Sequence, residues 1–183
     1  LGQGTEYEDV ELRVDEGERG FVMELWARDP ELYTVGFLSP TGERIARIPL
    51  SFTADTPIRF LLEQTVITVT YVNAEAGSGS QLIFMRFEAP TAGIWQIRVY
   101  SSLLITGEFH IWLPPGSFIS DGTQFLRSSP DTTVTDPANA PLPITVGACN
   151  HRDDSIYLGS GRGFSRNGKV KPALAAPGGD ISG

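Results

Sequence analysis

The chain predicts an all-β protein, a jelly-roll-like antiparallel β-sandwich of eight or nine strands. Apolar and polar residues alternate with period two in many short runs over residues 1–113. Clusters of Gly, Pro, Asp and Ser punctuate those runs. No segment carries the apolar stripe of an amphipathic helix. A length of 183 residues suffices for one domain with a real core plus part of another. A hydrophobic share of 40% with 20% charged residues is the balance of a globular protein.

The elements follow in order. Val10, Leu12 and Val14 share one side of the first strand, with Asp9, Glu11 and Arg13 on the other. Phe21, Met23, Leu25 and Ala27 repeat the pattern after the turn at Glu16-Gly17-Glu18, and Tyr33, Val35 and Phe37 repeat it after Asp29-Pro30. Ser39-Pro40-Thr41-Gly42 reads as a tight turn, with Pro suited to its second position and Gly to its fourth. Further strands are expected at 43–48, 58–62, 66–72, 82–87, 93–100 and 107–113, with a flexible tip at 76–80. Gly93 supplies the unusual backbone angles of a turn and sends Trp95, Ile97 and Val99 to one face. The expected core comprises Leu12, Phe21, Leu25, Phe37, Val69, Phe87, Trp95, Ile97 and Phe109.

Past Pro114-Pro115-Gly116 the alternation breaks, and Pro, Ser and Thr dominate to residue 142. Charge changes as well. Residues 1–142 hold 19 acidic residues against 9 arginines and no lysine, whereas residues 143–183 carry a net charge of +2 and both lysines. The acidic part argues against nucleic acid or an anionic membrane as partner, since phosphate contacts need basic clusters. No apolar run reaches the ~18 residues of a spanning helix. The chain opens on Leu1 without a Met, which reads as a piece of a longer protein. Cys149 stands alone, so no disulfide forms within the chain.

Four segments carry a resemblance. Pro143-Ile144-Thr145-Val146-Gly147-Ala148 and Lys171-Pro172-Ala173-Leu174-Ala175-Ala176-Pro177-Gly178 resemble the buried strand and the approach to the serine helix in subtilisin-like serine proteases. Thr133-Val134-Thr135-Asp136-Pro137-Ala138-Asn139-Ala140-Pro141 resembles the loop that forms one wall of the primary specificity pocket there. Pro90-Thr91-Ala92-Gly93-Ile94-Trp95 is similar to a hairpin of jelly-roll domains attached to proteases. The order of these pieces resembles a bacterial subtilase group, related to the clostridial germination proteases, with a sandwich inserted in its catalytic domain.

The resemblance implies an inserted sandwich over 1–115, a return loop over 116–142, and a partial α/β subtilase segment over 143–183. It implies a parent serine endopeptidase acting on peptide or protein substrates, and a remaining protease domain as partner. The pocket-wall residues it implies are Thr135, Asp136 and Pro137, with a cis bond at Asp136-Pro137. It also implies that this piece is inactive. The family's Asp, His, Ser and oxyanion Asn lie in motifs that match nothing here, so no catalytic residue is assigned. Departures from the family pattern are Ala173 for an Asp, Cys149 for a Tyr and Gly179 for a Val.

Other constellations are weak. Cys149 and His151 have the types of a thiol and its base, but residues two apart on a strand are poorly placed for proton transfer. Asp153-Asp154 has the oxygens of a calcium ligand pair, yet such a pair in a turn more often faces water. No cofactor or metal is therefore assigned. Gly159–Gly163 resembles a phosphate loop only loosely, for it lacks the Lys-Ser/Thr and a following helix. Trp26 and Trp112 stand on polar strand faces, His110 beside Trp112, which reads either as a stacking platform for sugar or as anchors of an interface. The subtilase-like tail favours the interface. A free-standing carbohydrate- or protein-binding sandwich is the alternative reading.

Overall fold

A computed structural model describes residues 6–51, 55–103 and 105–179. Two compact units divide the chain, Leu1–Arg127 and Ser128–Gly183. The described residues contain no α-helix, only strands, turns and one 3₁₀ turn at Gly116–Phe118.

The first unit is an all-β sandwich. Its strands are β1 (Tyr7–Val14), β2 (Gly20–Ala27), β3 (Leu32–Leu38), β4 (Arg44–Ile45), β5 (Thr56–Arg59), β6 (Val66–Val72), β7 (Leu82–Glu88), β8 (Gly93–Leu103), β9 (Phe109–Trp112) and β10 (Gln124–Phe125). One antiparallel sheet runs β10-β1-β8-β3-β4 and the other β5-β6-β7-β2-β9. Early strands lie beside late ones in both, β1 on β8 and β2 on β7. Two such sheets bury each other's apolar faces because period two sends every second side chain inward.

Register sets the core. Phe21 opposes Phe87, Met23 opposes Met85 and Leu25 opposes Ile83, while Ile67, Val69 and Tyr71 continue the same rows across β6. Leu12 opposes Trp95, and Phe37 opposes Ile97, in the facing sheet. Phe87 is the hub. Its ring stacks on Phe21 at 4.7 Å and meets Phe37 and Trp95 edge-on at 5.9 and 5.7 Å. Each large side chain removed from water contributes roughly 1.5–3 kcal/mol. Gly93 has φ +132°, and a Cβ there would lie 2.8 Å from Pro40 Cβ, so both conformation and space require glycine. The expected turn at 39–42 closes through Gly42 N–H to Ser39 O at 3.0 Å.

Several expected elements differ. Phe109 is only partly buried, because β9 is a four-residue edge strand with one neighbour. Its ring still packs edge-on against Tyr33 at 5.5 Å. The strand expected at 43–48 is paired only over Arg44–Ile45, and Ile48 N–H then returns to Val35 O. The tip at 76–80 is held by the Glu75 carboxylate, which accepts from Gly77 N–H and Ser78 N–H at 2.8 Å each. Residues 116–127 group with the sandwich rather than with a return loop. There β10 pairs with the open edge of β1, and Glu18 accepts from Ser120 N–H at 2.8 Å.

The second unit contains a parallel pair, β11 (Val146–Asn150) and β12 (Leu174–Gly179). The strand expected from Ile144 begins at Val146. Its partner is a segment whose Ala, Pro and Gly hide strand character. Beyond the ladder, Ile156 forms one antiparallel bridge to Cys149. An α/β segment implies helices, and the described residues of this unit form none.

Candidate functional site

The loop holding Thr135, Asp136 and Pro137 is tied at its start to Arg162 by a reciprocal pair of bonds. Thr133 N–H donates to Arg162 O at 2.8 Å, and Arg162 N–H donates back to Thr133 Oγ1 at 2.9 Å. Val134, the next residue, is buried. The chain then turns twice, through Ala138 N–H to Thr135 O at 2.9 Å and Ala140 N–H to Pro137 O at 3.0 Å. Asn139 Nδ2 donates to Val134 O across the turn. Its Oδ1 is buried without a hydrogen-bond partner. The Asp136–Pro137 bond is cis. Thr135, Asp136 and Pro137 are all exposed, so the loop presents a firm polar rim.

A lysine reaches the far end of this loop. Lys171, 9% exposed, places Nζ 2.6 Å from Pro143 O and 3.2 Å from Thr145 Oγ1. Thr145 Oγ1 in turn donates to Ala138 O at 2.6 Å. Sequence reasoning missed this connection, since no spacing rule joins residues 138, 143, 145 and 171.

The described residues contain no group of three His, Cys, Asp or Glu side chains able to hold a metal. Asp153 receives Ser155 Oγ at 2.7 Å and Ser155 N–H at 3.1 Å, and these bonds hold its carboxyl below the usual range. Cys149 lies within the β11–β12 ladder and His151 in the exposed turn after it, the arrangement of a structural thiol.

Trp26 and Trp112 meet on the outer face of the β9-edged sheet. Register sets Trp26 opposite His110 and Glu24 opposite Trp112, so the two indoles are diagonal neighbours. Their rings lie 6.5 Å apart and tilted by 47°, and His110 stacks on Trp112 at 6.0 Å. Trp26 Nε1–H donates to Glu24 Oε2 at 2.9 Å, which fixes one ring. Both indoles are half-buried. The opposite sheet holds a second feature the sequence did not disclose. Arg98 is clamped by Asp9 through two bonds of 2.7 Å and lies 3.9 Å over the Tyr7 ring. Arg98, Arg44, Gln96 and Tyr100 line a shallow pocket of about 230 Å³ there. Asp9 and Arg98 alternate correctly in their own strands, but only the β1–β8 register brings them together.

No family model matches this chain, and no curated protein does. Among solved structures it is similar to the CspB protease of Clostridium perfringens, with a TM-score of 0.85 and 29% identity. That match covers 98% of this chain and 38% of the protease chain, so the chain spans well under half of that protein's length. The fold is protease-related.

Proposed function

We propose that this chain is part of a subtilisin-like serine endopeptidase, with its sandwich inserted in the catalytic domain as a structural and interdomain element. The observation that carries this is the match to a protease over 98% of the chain, at 29% identity. In this reading Thr135, Asp136 and Pro137 supply one wall of the pocket that takes the substrate side chain beside the cleaved bond. Their exposure and the bonds that fix their loop suit a surface against which a substrate is positioned. Trp26 and Trp112 anchor the sandwich on the rest of the protease domain. Nucleophile, base and oxyanion donors come from residues outside this chain.

The coding sequence around residues 1–183 tests the reading: it should carry Asp and His motifs before and a Gly-Thr-Ser motif after. In the parent protein, Asp136→Lys should shift the kcat/KM ratio between acidic and basic peptide substrates by about tenfold, as a charge reversal at a pocket rim does. A parent without those motifs, or one insensitive to serine-reactive inhibitors, overturns the proposal. The paired indoles favour a second reading, a free-standing sandwich that binds carbohydrate or protein. Oligosaccharide quenching of tryptophan fluorescence that disappears in Trp112→Ala would select it.

A further inference from the structure

We infer that the Lys171 ammonium serves as a tethered monovalent cation that positions the loop through Thr135, Asp136 and Pro137. The inference rests on the reading above only for what the loop does, not for how it is held. Lys171 is buried, yet among the described residues no carboxylate lies within ion-pair distance of it. Buried charges are ordinarily paired with an opposite charge. Here the partners are neutral oxygens, Pro143 O at 2.6 Å and Thr145 Oγ1 at 3.2 Å. That is the ligand type that holds a potassium or ammonium ion.

The surroundings are built to keep the lysine in place. A Cβ at Gly163 would fall 1.6 Å from Lys171 O, so the two backbones touch there. A Cβ at Gly147 would lie 2.8 Å from the Pro172 ring. Residues 171–172 are thus wedged between two glycines, and the side chain is aimed at one spot. From that spot the hold passes along hydrogen bonds, since Thr145 Oγ1 donates to Ala138 O at 2.6 Å and Ala138 N–H donates to Thr135 O at 2.9 Å. A hydroxyl whose lone pairs face an ammonium must turn its own proton elsewhere, and Ala138 O is where it goes. Lys171 is therefore a positioning residue, acting on the loop through Thr145.

Hydrogen exchange on the whole chain tests this, with choline chloride compared against potassium or ammonium chloride at equal ionic strength. The wild type should exchange alike in all three salts. In Lys171→Ala the amides of Ala138, Ala140 and Ala173 should exchange about tenfold faster in choline, the loss expected for a hydrogen bond to a charged group. They should recover saturably in potassium or ammonium. Lys171→Met, which keeps the stem and loses the charge, should lose protection without recovering it, because its side chain fills the space. Wild-type exchange in Lys171→Met would show that the stem alone holds the loop and would overturn the inference. Loss in Lys171→Ala that neither cation repairs would overturn it too. Neither result bears on the parent's peptidase motifs, so the two proposals fail separately.

Discussion

Glu31 shows how one carboxylate can organise a loop at the residue scale. It is 2% exposed, and its Oε1 accepts from Ile105, Thr106 and Gly107 N–H at 2.9, 2.5 and 2.6 Å. Thr106 Oγ1 and Tyr33 Oη–H donate to Oε2. Burial pushes the carboxyl up, but the donors from Gly107, Ile105 and Thr106 outweigh it and leave the group below its ordinary value of 4.5. Its contribution to stability is therefore complete above pH 4.5 and lost as pH falls through the lowered folded value. Glu31→Ala should cost about 3 kcal/mol in urea unfolding near neutral pH, by stranding buried donors. Glu31→Gln should flatten the acid limb of the stability curve, and an unchanged limb would refute the assignment. Nothing in the sequence singled out Glu31, because its backbone donors lie more than 70 residues further along the chain.

Strands decide which large side chains matter. Trp95 is fully buried in β8, touching Phe60 at 5.1 Å as well as Phe87, and its Nε1–H donates to Thr91 O at 2.9 Å. Trp95→Ala should cost roughly 3–5 kcal/mol. Trp112, on an edge strand and half-buried, should cost about 1 kcal/mol or less when made Ala, with any larger effect confined to binding. Comparable thermal unfolding of the two variants would contradict this order. In the parallel pair, Gly147 of β11 is buried against Pro172. Gly147→Ala should destabilise that ladder by roughly 1–3 kcal/mol, seen as faster amide exchange at Ala148 and Cys149 while β8 is unaffected. The alternation along β1 was plain in the sequence, because Val10, Leu12 and Val14 share one face and Asp9, Glu11 and Arg13 the other, whereas β3 is buried on both faces over residues 33–37. β12 was not plain, because Ala, Pro and Gly carry no facial signal and the strand is defined by its partner alone.

At the scale of the molecule, strand position sets local stability. β8 is hydrogen-bonded on both sides, by β1 and β3, whereas β11 has β12 and a single bridge from Ile156. Amides of Ile94–Tyr100 should accordingly exchange far more slowly than those of Val146–Asn150. Equal rates would show that β11 is held by more than this ladder. The chain by itself should hydrolyse neither casein nor peptide esters above a buffer blank. Activity blocked by a serine-reactive inhibitor would show a catalytic group within residues 1–183 that sequence and geometry both fail to reveal.

The sequence by itself determined the all-β sandwich and eight of the nine core residues expected from it, Phe109 being the exception, because period two and turn chemistry are local properties of a chain. It also disclosed the loop of Thr135, Asp136 and Pro137 as a candidate, through resemblance rather than through physics. Tertiary structure alone decided which strands are neighbours. That choice pairs Asp9 with Arg98, sets Trp26 beside Trp112, adds residues 124–125 to the sandwich edge and brings Lys171 to Pro143 and Thr145. Each of these contacts joins segments far apart in the chain. Their partners are selected by register, by close packing at glycine and by where buried polar groups find bonds, and those are properties of the folded molecule.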